Sequence, residues 1–291
     1  MSSNKATSNL FAVKTLQSKD ECRFNQEVKV LRKLSKDRHR HPHLITLLAT
    51  YEWRRTFNLI FPLAEADLFG FWENNQPCQT PAMARWIAEQ CKGLAEALSR
   101  IHRWQTFSSS SVITEDESEC SHAKPLARTA SHGNASPTDR ALKNFFGRHG
   151  DLKPENILWY PDTRPGKIGI LKITDFGIAQ VSRDYSRQGV MPNSPSYRSP
   201  EFELEESHSP ACDVWALGCV YLEFITWFCG GHSLLQQFGN DRLAYDEKFG
   251  DIESDTFFTV YYHQSQPSVR QAKIKDSVDA VSALKHCSGI S

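Results

Sequence analysis

Polar side chains that suit phosphoryl transfer are concentrated in residues 149–156, and one more carboxylate follows at Asp175. Transfer of a phosphoryl group from ATP needs a carboxylate that orients the attacking hydroxyl and accepts its proton. It also needs oxygen ligands that hold Mg2+ against the phosphates. Asp151 suits the role of base, and Lys153 can stabilise charge on the transferred group. Asn156 and Asp175 suit metal ligation, so the pattern predicts a phosphotransferase site that uses ATP and Mg2+.

These strings resemble the catalytic loop and the magnesium loop of eukaryotic protein kinases. The lysine two positions after Asp151 is typical of the Ser/Thr branch, and Asp175 opens an Asp-Phe-Gly tripeptide. An isolated tripeptide of this kind is weak, because aspartate and glycine are common turn residues in any fold. Its position after residues 149–156 favours the kinase interpretation over the alternative that these are ordinary loop residues in an unrelated fold. The order of the motifs and the sequence of residues 147–156 look most like those of a group of fungal Ser/Thr kinases.

Two downstream motifs extend the resemblance. Residues 199–201 resemble the Ala-Pro-Glu element that closes a kinase activation segment. Residues 213–218 resemble the start of a buried helix whose aspartate holds the backbone of the catalytic loop, which gives Asp213 a structural role. The apolar run at residues 215–229 is too short to span a bilayer and contains Glu223, so we expect a helix buried inside the protein.

A lysine and a glutamate near the start of the chain match the kinase residues that position the phosphates. Residues 9–14 have the pattern of a strand that ends at Lys14, and residues 18–21 have the capping-box pattern that opens a helix. The resemblance implies that Lys14 grips the α- and β-phosphates and that Glu27 holds this lysine in place. The alternative for the pair is a surface lysine and a solvated helix glutamate.

The adenine side of the site is expected where residues 57–61 resemble the strand that enters the interlobe hinge. Phe61 would be the gatekeeper beside the adenine. Pro62 follows at a position where only a backbone carbonyl is needed, so its missing N–H is compatible with adenine binding. Ala64 can offer both its N–H and its C=O to the base.

The resemblance implies an α+β, two-lobed fold. Residues 1–64 would form a partial, β-rich small lobe, and residues 65–291 would form a mainly α-helical large lobe with an incomplete C-terminal end. A helix capped by Thr80 and Pro81 would support the catalytic loop. Residues 105–147 are rich in polar side chains and lack periodicity, which predicts a flexible insertion. Residues 157–160 and 167–173 form a strand-turn-strand pattern.

Three departures from the kinase pattern stand out. The first glycine is Gly70, so the chain lacks the glycine-rich loop that covers the phosphates, and we expect sequence upstream of Met1 to supply it. The arginine that usually precedes the catalytic aspartate is replaced by Gly150. The match fades after Cys229, and the arginine that normally pairs with the glutamate at position 201 is not identifiable.

The overall composition limits which binding partners and which cellular compartment are expected for the protein. Lysine plus arginine and aspartate plus glutamate number 34 each, so no global charge favours nucleic acid or a membrane surface as partner. Residues 29–43 form a basic cluster that we interpret as a solvated face. The 8 cysteines show no C-x-x-C spacing and no secretory leader is visible, which predicts an intracellular protein, cytoplasmic or nuclear.

The sequence is compatible with two functions of different classes, an enzyme and a binding protein. The first is a Ser/Thr kinase that transfers the γ-phosphoryl group of ATP to hydroxyls of protein substrates. The alternative is a truncated pseudokinase that acts as a binding or scaffold protein.

We also expect activity to be independent of phosphorylation between Asp175 and Glu201. Gly150 offers no cation for a phosphate there, and the side chain of Arg148 is expected to point elsewhere.

Overall fold

A computed structural model describes residues 10–17, 21–35, 40–103, 146–177, 180–182, 195–204, 209–245, 253–263 and 266–282. The capping residues 18–20 lie outside this part of the chain. So does the predicted insertion at residues 105–147, apart from its last two positions. Those two positions already belong to a strand, β5 (Phe146–Arg148).

The N-terminal part is an antiparallel sheet with one helix against it. Its strands are β1 (Phe11–Gln17), β2 (Ala49–Trp53) and β3 (Thr56–Pro62), in the order β1-β3-β2, and the helix is α1 (Glu21–Leu34). Exposure alternates along β1, as expected for a strand with one buried face. Ala12 and Leu16 pack on the core, whereas Phe11 and Val13 are exposed. The predicted strands are confirmed, and β1 extends three residues beyond Lys14.

Helices dominate the C-terminal part: α2 (Leu68–Asn74), α3 (Pro81–His102), α4 (Pro200–Glu203), α5 (Ala211–Arg242) and α6 (Asp276–Ser282). The predicted start of α3 is confirmed, because the Thr80 hydroxyl accepts the Met83 N–H at 3.3 Å and Pro81 occupies the first turn. Aromatic side chains of α2, α3 and α5 pack together in the core, among them Phe71, Trp86 and Trp227.

The helix α5 has the length and apolar composition of a membrane span, yet half of its most apolar stretch is buried inside the protein. It packs on α2 and α3 and contains the buried Glu223, which is the environment of a core helix. The prediction of a buried helix is thus confirmed, although the helix continues past Cys229. It breaks at Gly230 and Gly231, where Gly231 has a φ of 69° that side-chain-bearing residues rarely adopt.

Short strands connect these helices. The sheet of β4 (Ala66–Asp67), β6 (Ile157–Tyr160) and β7 (Ile170–Ile173) has the order β4-β6-β7, and β5 pairs with β8 (Gln180–Ser182). The predicted strand at residues 167–173 is wrong in its first half. Gly169 has a φ of 121°, outside the extended region, and its carbonyl accepts the indole N–H of Trp86 at 2.8 Å.

Two hairpins near the C-terminus were not predicted. They are β9 (Ala244–Tyr245) with β10 (Glu253–Ser254), and β11 (Phe258–His263) with β12 (Gln266–Ile274). Phe257, which precedes β11, and Val278 of α6 form a small core with Phe238 of α5, and Ile274 of β12 packs against this core. The predicted fold class, α+β with a β-rich N-terminal part and a mainly helical C-terminal part, is confirmed.

A glycine in α3 tests the packing between the helix and the loop that precedes β2. A Cβ on Gly93 would lie 2.1 Å from Nε2 of His43, so Gly93→Ala should lower the free energy of unfolding by about 1 to 3 kcal/mol. Gly218 in α5 is the matched control because no atom lies within 4 Å of its added Cβ. Gly218→Ala should raise stability by about 0.5 to 1 kcal/mol, and denaturant titration measures both. Equal effects of the two changes would contradict this packing.

Candidate active site

The backbone before Asp151 is held by a buried carboxylate from the first turn of α5. Asp213 accepts the N–H groups of His149 at 2.8 Å and Gly150 at 2.9 Å, and it lies 2.9 Å from Nε2 of His102. Burial alone would raise the pKa of Asp213, but the hydrogen bond with His102 and the other donors lower it. The predicted structural role of Asp213 is therefore confirmed.

His149 connects this loop to the segment that carries Asp175. Its ring nitrogen Nε2 lies 2.8 Å from the Thr174 carbonyl, and its ring stands edge-on to Phe176 at a centroid distance of 5.2 Å. The Thr174 N–H donates to the Asn156 carbonyl at 2.9 Å. Asn156 and Asp175 are thus brought onto neighbouring stretches of backbone. Asp175 has a φ of 59°, a conformation that aspartate tolerates better than most residues.

Lys14 connects the N-terminal sheet to Glu27, its expected partner, and also to Asp175. Its ammonium nitrogen lies 2.8 Å and 3.0 Å from the two carboxylate oxygens of Glu27, and 2.8 Å from Oδ1 of Asp175. Burial opposes the charge on Lys14, but the two carboxylates outweigh it and raise the pKa of the lysine. Burial likewise opposes the charge on Asp175, and Lys14 lowers the pKa of that carboxyl. Lys14 and Asp175 are therefore both charged at neutral pH.

The side chains of Asp151, Lys153 and Asn156 also lie together. The Asn156 amide donates to the Asp151 carbonyl at 2.8 Å and to its Oδ2 at 3.0 Å, and the Lys153 ammonium lies 3.7 Å from the same Oδ2. Both contacts to the Asp151 side chain involve one carboxylate oxygen. The amide hydrogens of Asn156 are engaged, so its Oδ1 is the atom suited to a metal ion.

The hinge residues lie at the end of β3. Phe61 is buried, and the Pro62 carbonyl accepts the hydroxyl of Tyr160 at 3.0 Å, a contact that the sequence pattern did not reveal. Burial raises the pKa of Tyr160 to about 12, so this hydroxyl stays a donor at neutral pH. Among the described residues, the N–H and C=O of Ala64 have no backbone partner.

The expected orientation of Arg148 is wrong. The side chain is buried, its guanidinium carbon lies 5.9 Å from the Phe202 ring, and it lines a small cavity together with Gly150 and Arg198. It therefore approaches the end of the segment between Asp175 and Glu201. Gly150 itself has a φ of 86°, so the backbone there favours glycine over the arginine of the kinase pattern.

Comparison with known proteins agrees with this geometry. Residues 143–260 match the protein kinase domain family. The chain is 33% identical over 121 residues to the probable serine/threonine-protein kinase KKQ8 of Saccharomyces cerevisiae, covering 39% of this chain and 15% of that protein. It is 34% identical over 121 residues to the human dual specificity protein kinase CLK2, covering 36% of this chain and 23% of that protein.

A longer match, 25% identical over 229 residues, joins the chain to human cyclin-dependent kinase-like 4 and covers 77% of this chain. The chain spans 15% to 46% of the length of these three relatives. The fold, the assembled motifs and the matches are all similar to those of eukaryotic protein kinases. Both yeast and human proteins match, so the narrower likeness to a fungal group stays a prediction.

The anchoring role of Asp213 is open to a direct stability test. Asp213→Asn removes a buried charge that accepts two backbone N–H groups, and we expect the free energy of unfolding at pH 7 to fall by about 2 kcal/mol. Because the pKa of Asp213 is lowered in the folded protein, the carboxylate stabilises the fold above its unfolded pKa. The difference in the free energy of unfolding between the parent and Asp213→Asn should therefore become smaller below about pH 4. Asp276→Asn on the exposed face of α6 is the control, and an equal loss there would contradict the assignment.

Proposed function

We propose that the chain is a protein Ser/Thr kinase that transfers the γ-phosphoryl group of ATP to hydroxyls of protein substrates. The observation that carries the proposal is the position of Lys14, which bonds Glu27 on α1 and Asp175 beyond β7, each at 2.8 Å. This contact joins the N-terminal sheet to the loop that carries the expected metal ligand. Kinase chemistry requires a lysine-glutamate pair and a metal-binding aspartate in place at the same time.

The donor set fits Mg2+ and ATP. Asp175 and Asn156 offer hard oxygen ligands of the kind that Mg2+ prefers, and the bound ion would neutralise charge on the phosphates. Lys14, held by Glu27, would bind the α- and β-phosphates. The N–H and C=O of Ala64 and the carbonyl of Pro62 suit the hydrogen-bonding edge of adenine, beside Phe61.

Asp151 is the proposed base. Its Oδ2 is engaged by Asn156 and faces Lys153, so Oδ1 is the oxygen that would orient the substrate hydroxyl and accept its proton. Lys153 would then stabilise charge on the transferred group. In this arrangement Asn156 fixes the rotamer of the base as well as holding the metal ion.

The wider biological setting is also a proposal. Residues 1–64 would form a partial small lobe and residues 65–291 a large lobe with an insertion at about residues 105–147. We propose protein substrates and an intracellular location, cytoplasmic or nuclear. Because the chain spans less than half of the length of its matched relatives, the activity and partners of the whole protein rest on the experiments below.

A second candidate is a pseudokinase that serves as a binding or scaffold protein. The observation in its favour is the 2.8 Å contact that engages Asp175 with Lys14, because a lysine partner competes with a metal ion for this carboxylate. The kinase proposal requires that Mg2+ and ATP displace this contact. Dependence of ATP binding on Mg2+ separates the two functions.

The two aspartates should contribute differently to catalysis. Asp151→Asn should lower turnover by about 10²- to 10⁴-fold and leave the Kd for ATP with Mg2+ nearly unchanged, because the base acts on the substrate hydroxyl. Asp175→Asn should weaken nucleotide binding as well. Phosphate transfer to a generic protein substrate and calorimetry measure the two effects, with Asp162→Asn in the β6–β7 turn as control. If both variants match the parent in turnover, these roles are wrong.

Activity should not require phosphorylation of the segment between Asp175 and Glu201. Of its candidate acceptors, Ser182, Tyr185, Ser186 and Ser194 have side chains outside the described residues. The Ser196 hydroxyl donates to Asp255 at 2.7 Å, and the Tyr197 hydroxyl donates to Glu223 at 2.8 Å. A phosphate on either would meet a carboxylate and repel it. Phosphatase treatment should leave turnover unchanged, whereas a large loss mapped to one of the six acceptors would refute the expectation.

A further inference from the structure

Five polar residues form a closed ring of contacts next to the proposed base. The Ser196 hydroxyl donates to the Asp255 carboxylate at 2.7 Å, and the adjacent Tyr197 hydroxyl donates to Oε2 of Glu223 at 2.8 Å. Arg242 closes the ring. Its Nη2 donates to Oε1 of Glu223 at 3.0 Å, and its Nε donates to the Asp255 carbonyl at 3.2 Å. We call these five residues the polar ring.

Several contacts hold Arg242 in place. It is the last residue of α5 and only 4% exposed. Its guanidinium carbon lies 4.4 Å from the Phe238 ring centroid and 4.1 Å from that of Phe257, so the cation lies over both aromatic rings. The Lys275 ammonium donates to the Arg242 carbonyl at 2.7 Å and to the Ser254 carbonyl at 2.6 Å. A planar, immobilised guanidinium is suited to holding two partners at fixed angles.

The charge of Arg242 also matters for Glu223. Burial raises the pKa of Glu223 to about 7, although the neighbouring guanidinium and the Tyr197 hydroxyl both act to lower it. Without Arg242 the pKa of Glu223 would rise further, and a protonated carboxyl is a weaker acceptor for the Tyr197 hydroxyl. Arg242 therefore acts on Tyr197 through the ionisation of Glu223 as well as through its orientation.

The polar ring borders the proposed site through Tyr197. This side chain lines a small cavity together with Gly150, Asp151 and Leu152. A shift of Tyr197 would change the surface beside Asp151 without touching Asp175 or Lys14. The ring closes through residues that follow Cys229, where the resemblance to the kinase pattern fades.

We propose that Arg242 is a positioning residue for phosphoryl transfer. Through Glu223 and Asp255 it holds Tyr197 and Ser196, and hence the segment that a protein substrate meets beside Asp151. This inference rests on the proposed kinase function and deepens it. It assigns the C-terminal hairpins β9–β10 and β11–β12 to the support of the substrate side of the site, because Arg242, Asp255 and Phe257 lie at their junction with α5.

The test compares Arg242→Met, Tyr197→Phe and the double variant with the parent. Each single change should lower kcat/KM for myelin basic protein by about tenfold, and the double variant should lose little more than either, because both break one ring. The Kd for ATP with Mg2+ should stay within about twofold of the parent. Arg242→Lys keeps the charge but lacks the planar fork, so its loss should be intermediate. Lys273→Met, which removes an exposed lysine of β12, is the control and should match the parent.

Hydrogen exchange over residues 195–199 gives a readout that needs no activity. Exchange should be faster in Arg242→Met and in Tyr197→Phe, and unchanged in Lys273→Met. If the parent transfers no phosphate, the proposed function fails while the exchange data still test the ring. Additive losses in the double variant, or exchange that matches the parent in both single variants, would overturn the proposal. If Arg242→Met does not fold, Tyr197→Phe, which deletes one hydroxyl, decides between these outcomes.

Discussion

The geometry of the site depends on the buried carboxylate of Asp213. It accepts two consecutive backbone N–H groups, from His149 and Gly150, and lies against His102, so it ties together the first turn of α5, the end of α3 and the loop before Asp151. An unpaired N–H in this buried loop would cost about 1 to 3 kcal/mol, and a charged acceptor satisfies two of them at once. Gly150 has a positive φ, so the chain leaves this anchor toward Asp151 in a conformation that favours glycine.

From this anchor, short contacts reach every part of the proposed machinery. His149 contacts the Thr174 carbonyl, and Asp175 follows directly and bonds Lys14 on β1. Partly exposed ion pairs contribute little to stability, so the contact between Lys14 and Asp175 matters chiefly for position. Glu27 is different because it is 1% exposed and has Lys14 as its cationic partner. Removal of the lysine would therefore leave a buried charge unpaired.

Much of this arrangement could be predicted from local sequence patterns. Thr80 and Pro81 predicted the start of α3, and the strand pattern of residues 9–14 predicted β1. The order and spacing of Asp151 and Asp175 predicted the two loops of the site. These features depend on residues close together in the chain. Contacts between distant residues left weaker signals. Glu223 within an apolar run favoured a helix buried inside the protein, but nothing near it in sequence pointed to Arg242, which follows the helix break at Gly231.

Other features could not be predicted because packing decides them. Tyr160 at the end of β6 reaches the Pro62 carbonyl at the end of β3, and the guanidinium of Arg148 lies 5.9 Å from the ring of Phe202 in α4, far along the chain. The hairpins β9–β10 and β11–β12 have no counterpart in the expected helical end of a kinase large lobe. Ile274 of β12 packs against the small core of Phe238, Phe257 and Val278, so tertiary contacts rather than strand propensity explain the position of this hairpin.

Calorimetric titration of the unmodified chain with ATP, in the presence and absence of Mg2+, tests the central claim most directly. The account predicts that ATP binds with Mg2+, and that binding weakens when Mg2+ is chelated, because Asp175 and Asn156 would then hold no ion against the phosphates. Binding of ATP that is equally strong without Mg2+, or no binding in either condition, would contradict the assignment of this site to phosphoryl transfer.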